Sequence, residues 1–373
     1  GNSARHIVIH KNHYIKHMKY IYFLLLATMA LVQAGLARAQ TVTGAGSSAA
    51  APIYRSWAKA YAKATGSAVD YDPVGSSAGM KKIQQQAVGF GATDVYPAEK
   101  DLLEHGLLAL PVAITGISPI VNLPKVPNAQ LRLTGEVLSR IFMGEITRWN
   151  AAEIAALNPD LPLPDLPIKV VVRADGSGTT YNFADYLGKV SPQWKKTYGA
   201  KTSIAWPAGV LAFKGSDGVA KGVRDTVGAI GYVDHGYVAE YGLTTVQMKN
   251  ADGIYVKPSI DAFKAALANS DWSATGVFNS TLTQRPGKSV WPITMGTFVV
   301  FPKITQNPDQ TAQALRFILW SFLNGDTLVQ ENNFVRLPDR VQASAFKIIT
   351  SIRDNQGKPL GMSLISSFNR SSQ

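Results

Sequence analysis

Four times along this chain a strand-like run gives way to glycine with a hydroxyl residue, and then to helical spacing. The loops are Gly46-Ser47-Ser48, Gly75-Ser76-Ser77, Gly176-Ser177-Gly178-Thr179 and Gly215-Ser216-Asp217-Gly218. This alternation constrains the fold more than any other feature, because strands and helices in turn stack as α/β layers. Their strand-to-helix loops then gather at the carboxyl edge of the sheet. The strands read as Thr41-Val42-Thr43, Val69 to Val74, Phe90 to Asp94, Ile168 to Val172 and Ala229 to Val233. Apolar residues at three- and four-residue spacing mark helices from about Ala50 (Tyr54, Trp57, Tyr61), through Met80, Ile83 and Ala87, and through Phe183, Tyr186 and Leu187.

A chain of 373 residues exceeds what one core usually serves, so two domains are expected. Leu107 to Leu123 is an apolar run that fits one or two buried strands. It ends in Asn122-Leu123-Pro124-Lys125-Val126-Pro127, where the chain should cross to a second domain, and Thr297 to Phe301 should cross back. Helices at Ala312 to Phe322 and Val341 to Ile352 should pack on the first domain. The division expected is 41–122 with 298–373 as lobe I, and 123–297 as lobe II.

Residues 1–39 carry five bases and no acid, and Tyr20 to Leu36 is an apolar run just after Met18-Lys19. With the small-residue exit Ala37-Arg38-Ala39, this reads as a secretory signal with Met18 as its start and 1–17 upstream of it. His6, His10, His13 and His17 have metal-ligand spacing, but they precede a segment expected to be removed. Taking those five bases from 37 leaves 32 against 25 acids, so the formal +12 falls to +7. The chain has no cysteine, which excludes disulfides, thiolate metal sites and cysteine nucleophiles. After the signal only His105 and His235 remain, a poor supply for histidine base chemistry or a metal centre.

Taken singly, each glycine–hydroxyl loop is explained by an N-cap, its hydroxyl accepting from an orphan N–H. Together they fit a second use, since helix starts offer free N–H groups and glycine lets an anion come close. Arg173 and Asp175 flank the third loop two residues apart. Either they form a surface ion pair, or Asp175 holds the guanidinium while its remaining donors fork onto an oxyanion. Asp94 is either a turn residue or an acceptor beside the anion, and the second needs a proton between carboxylate and ligand. Protonated phosphate carries one at neutral pH; sulfate essentially does not.

Rival motifs are weaker. Gly44-Ala45-Gly46-Ser47-Ser48-Ala49 matches a loose dinucleotide fingerprint, without a tidy acidic partner. Gly75-Ser76-Ser77-Ala78-Gly79 matches a nucleophile elbow and leaves an exported serine hydrolase or phosphatase as the alternative. Lysines and tryptophans form no basic-aromatic stripe, so no nucleic-acid partner is expected.

At these loops the chain resembles the periplasmic phosphate-binding proteins of the high-affinity phosphate ABC importer. Thr43-Gly44-Ala45-Gly46, Val74 to Gly79, Phe90-Gly91-Ala92-Thr93-Asp94, Arg173 to Thr179, Gly228 to Val233 and Trp291-Pro292-Ile293-Thr294 carry the likeness, which spans roughly 41 to 360. The resemblance implies an α/β, two-lobed periplasmic binding-protein fold, each lobe a mixed sheet flanked by helices, with the ligand in the interlobe cleft. It implies a monomeric, periplasmic, non-enzymatic receptor with no cofactor and no metal. Inorganic phosphate and the importer's membrane subunits are the implied partners. By the same resemblance Arg173 is the cationic ligand contact, held by Asp175, and Asp94 accepts the ligand's proton. Ser76, Ser177, Gly178 and Thr179 supply hydroxyl and backbone donors. The first loop has Ser47-Ser48-Ala49-Ala50 where the family commonly shows Ala-Thr-Phe-Pro, so Ser48 replaces the threonine hydroxyl and Ala49 offers its N–H.

Overall fold

The computed structural model describes residues 41–371, so the signal and histidine readings of the first 39 residues lie outside the described residues. Eight strands form one continuous path: β1 (Val42–Gly46), β2 (Val69–Asp72), β3 (Phe90–Thr93), β4 (Leu107–Val121), β5 (Lys169–Arg173), β6 (Leu211–Phe213), β7 (Ala229–Asp234) and β8 (Ile293–Pro302). Their spatial order is β2-β1-β3-β8-β4-β7-β5-β6. The parallel group β2-β1-β3 makes one half and the parallel group β7-β5-β6 the other. Long antiparallel β4 and β8 run between them.

β4 is a single 15-residue strand, buried almost throughout, which is why its sequence is a continuous apolar run rather than an alternation. Its partner changes along its length. Leu107 to Gly116 pairs with β8, and Ile117 to Val121 pairs with β7. The buried Trp291 donates its indole N–H to the Ile117 carbonyl at 2.9 Å, pinning the point of change. β8 is longer than its sequence run suggested and carries a register shift between Thr297 and Phe298.

Four helices follow the glycine–hydroxyl loops: α1 (Ala51–Thr65), α2 (Ser76–Gln84), α3 (Gly178–Val190) and α4 (Gly215–Arg224). α1 buries Ile53, Tyr54, Trp57 and Tyr61 along one face and ends at Gly66 in the left-handed conformation. α2 stops at Gln84, so Ala87 lies beyond it. The helix Pro308–Asn324 packs on β1 and α1. Among the described residues no helix is long and apolar enough to cross a membrane.

Candidate functional site

The loop after β1 is tied down before it reaches the cleft. Ser47 N–H donates to the Ala92 carbonyl at 2.9 Å, and the Tyr71 hydroxyl donates to the Ser47 carbonyl. From the opposite half, the Tyr237 hydroxyl donates to the Ser48 carbonyl at 2.6 Å. Ser48 Oγ accepts from Ser216 N–H at 2.9 Å and lies 2.7 Å from Ser216 Oγ. Ala49 is buried beside it.

Just past β3 comes Asp94, only 3% exposed. Ser47 Oγ donates across both of its carboxylate oxygens, 2.7 Å from Oδ1 and 2.8 Å from Oδ2. Thr297 Oγ1 adds a 2.9 Å bond to Oδ1. The Asp94 N–H donates to Ser76 Oγ at 3.1 Å, and its carbonyl accepts from Asn182 Nδ2 at 2.7 Å. Burial pushes the Asp94 carboxyl above its ordinary value. The Ser47 and Thr297 hydroxyls, the Arg173 charge and Ser76 pull the other way.

Arg173 closes β5, its side chain 3% exposed. Nε and Nη2 donate to Asp175 Oδ1 and Oδ2 at 2.7 and 2.6 Å, a bidentate pair that fixes the guanidinium plane. Nη1 is left with one long contact, 3.4 Å to Ser216 Oγ. Burial pushes Asp175 up. The Arg173 hydrogen bonds and charge, with the Gly215 N–H, outweigh it and hold the carboxyl below the usual range. Of the two readings for this pair, burial favours the positioned guanidinium over an exposed surface bridge.

Ser177 is the N-cap of α3, its Oγ accepting from Thr180 N–H at 3.0 Å. The Gly178 and Thr179 N–H groups therefore begin the helix without intrahelical acceptors. The Thr179 hydroxyl is buried and makes no hydrogen bond within the protein. A Cβ on Gly178 would come 2.5 Å from Ser76 Oγ and 2.7 Å from Asp94 Cβ, so only glycine lets α3 start against the opposite half. Gly75, at φ +96°, likewise lies under Asp175 and Gly176, where a Cβ would meet Asp175 Oδ2 at 2.7 Å. The halves also meet at Ser77 N–H to the Gly176 carbonyl (3.2 Å) and Ser77 Oγ to Thr202 Oγ1 (3.1 Å).

All nine residues picked out by sequence lie on these converging loops. Four contributors had not been picked out: Ser47, Asn182, Ser216 and Thr297. Ser47 and Ser216 sit in two of the glycine–hydroxyl loops, and chain alternation alone does not say which hydroxyl faces the cleft. Thr297 lies within a buried strand and Asn182 on a helix face, where nothing local marks them. The rival motifs serve other ends. Gly44 lies beneath the Phe90 ring, where a Cβ would clash. Ser77, the serine at the elbow position, donates to Thr202 Oγ1, and His235 Nδ1 pairs with Ser118 at 2.9 Å rather than with an elbow serine.

With Asp94 and Asp175 ionised against one guanidinium, these groups sum to a single negative charge. An anion entering here gains neutral donors and Nη1 but meets an unpaired carboxylate unless it carries a proton. A two-lobed α/β body whose helix starts close from both sides on such a pocket is a solute-binding protein. A family model described as "PBP superfamily domain" matches residues 32–318. The chain is 41% identical over 297 residues to "Phosphate-binding protein PstS" of Xylella fastidiosa (80% of this chain, 81% of that one). It is 39% identical over 338 residues to the protein of that name from Pasteurella multocida (90% and 98%). A Clostridium perfringens phosphate ABC transporter substrate-binding protein, solved with bound phosphate, shares the fold at TM-score 0.58 and 20% identity, over 80% of this chain and 100% of that one. The chain belongs to the PstS family of phosphate-binding proteins within the PBP superfamily.

Proposed function

We propose that this protein binds inorganic phosphate between its lobes in the periplasm and delivers it, without turnover, to the membrane subunits of an ABC importer. The family relationship supports phosphate binding and transport. The observation that carries the site assignment is the approach of Asp94 and Arg173 from opposite halves, beside the unbonded Thr179 hydroxyl. In this reading Arg173 Nη1, the hydroxyls of Ser48, Ser76, Ser177 and Thr179, and the N–H groups of Ala49, Gly178 and Thr179 donate to ligand oxygens. Asp175 holds Arg173. Asp94 accepts the proton of HPO₄²⁻ or H₂PO₄⁻, and its repulsion excludes sulfate. The moving bodies are residues 41–122 with 298–373, and 123–297. They close by bending where β4 and β8 run between them.

Calorimetric titration of the purified protein with phosphate and then sulfate tests this reading. Saturable 1:1 heat with phosphate, displaced poorly by sulfate, is expected. No heat with phosphate at any accessible concentration would remove the proposal.

A further inference from the structure

We propose that Ser47 is a specificity-determining residue: its hydroxyl, locked in direction by the Ala50 N–H, keeps Asp94 an obligate acceptor, so that a ligand must bring its own proton. This rests on the reading that a proton-bearing anion occupies the cleft.

Ala50 N–H donates to Ser47 Oγ at 3.0 Å, occupying an oxygen lone pair and directing the hydroxyl proton away from the backbone. That proton bridges Asp94 Oδ1 and Oδ2 at 2.7 and 2.8 Å. Thr297 Oγ1 takes a further position on Oδ1. A carboxylate has about four lone-pair positions. These contacts take up Oδ1 and part of Oδ2, so Oδ2 is the oxygen that can accept a ligand O–H. Ser47 itself is fixed by Ala92 and Tyr71, so the alignment does not depend on ligand.

Asp94 is packed by groups that oppose one another. Arg173 on β5 favours its charge, as do the hydroxyls of Ser47, Thr297 and Ser76. Burial opposes it. The phenols of Tyr54 on α1 and Tyr71 on β2, and Asp234 on β7, are the other titratable groups that feel its charge. Removing the Ser47 hydroxyl tips this balance toward protonated Asp94. Once protonated, Asp94 becomes a donor, and a fully ionised tetrahedral anion such as sulfate can then satisfy it.

The test is sulfate competition against bound phosphate from about pH 4.5 to 8 in the wild-type protein, Ser47→Ala and Ser47→Thr. Ser47→Ala should move the onset of sulfate competition upward by about one pH unit. Phosphate should still bind near pH 8, more weakly than to wild type, and Ser47→Thr should restore the wild-type onset. An unchanged onset in Ser47→Ala, measured against the phosphate it still binds, overturns the assignment. Should Ser47→Ala fail to fold, Ser47→Cys keeps the size with a weaker donor. A smaller upward shift there supports the role, and a wild-type onset overturns it. Wild-type protein that binds no phosphate overturns the underlying reading and this inference with it.

Discussion

Asp94 and Asp234 are the two acidic side chains fully buried among the described residues, and they differ in what surrounds them. Asp94, in the cleft, is met by the hydroxyls of Ser47 and Thr297 and feels the Arg173 guanidinium. Asp234 sits where β4 changes partner, paired with Ile117. It receives one hydroxyl, Thr115 at 2.6 Å, and one N–H, Gly236 at 2.9 Å. Burial, with the Asp94 charge adding to it, pushes Asp234 up to about 8. Equal burial therefore gives two different groups. Burial raises both carboxyls. In the cleft two hydroxyls and the Arg173 charge oppose that rise, whereas at the crossing point one hydroxyl and one N–H do so and the nearby carboxylate adds to it.

The contrast breaks most readily at Arg173. Arg173→Ala should cost on the order of a hundredfold or more in phosphate affinity by calorimetry, since it removes the cationic donor and strands the partly buried Asp175. Arg173→Lys should recover only part, because a point charge cannot grip Asp175 bidentately. An affinity within about threefold of wild type in Arg173→Ala would show that the guanidinium is structural only.

Asp94→Asn should relax discrimination, raising sulfate competition by about tenfold or more as an accepting oxygen gives way to an amide donor. If sulfate competes no better with this variant than with wild type, Asp94 is not the proton acceptor.

At the crossing point the expected effect is on stability. The Asp234 carboxyl lies above its ordinary 3.8, so its contribution is complete below that value and is lost as pH rises toward about 8. Asp234→Asn should remove that loss. Its stability relative to wild type should therefore climb with pH across the window, by up to about 1.4 kcal/mol per pH unit in urea melts. Neighbouring His235, pushed down to about 4 by burial, acts in the opposite sense, its contribution complete above 6.5 and lost as pH falls. It is common to both proteins and should cancel in the difference. Parallel pH–stability curves would contradict a proton held on Asp234.

The smallest effect should come from Ser216→Ala. It removes one hydroxyl from the Ser48 contact but keeps the backbone N–H bond across the cleft, so phosphate affinity should fall less than about tenfold. A larger loss would mark Ser216 as a direct ligand contact.

Much of this arrangement was legible in the sequence because it is local. The glycine–hydroxyl loops announce helix starts, and the Arg173–Asp175 spacing places both side chains at one strand end. The apolar run from Leu107 announces a buried strand. What the sequence did not reveal depends on long-range pairing. Thr297 reaches Asp94 across 203 positions, and Ser48 meets Ser216 across 168. Choosing Ser47 over Ser48 as the partner of Asp94 requires knowing that Ala92 and Tyr71 clamp the loop. The run at Asn122 to Pro127 marks the end of β4, while the partner change at Ile117 lies inside an unbroken strand and leaves no local signal.

A crystal structure of the protein grown with phosphate addresses the central assignment most directly. The account predicts a tetrahedral anion between the halves, with one oxygen within hydrogen-bond reach of Asp94 Oδ2 and others on Arg173 Nη1 and Thr179. Phosphate bound elsewhere, with Asp94 facing no ligand oxygen, would contradict it.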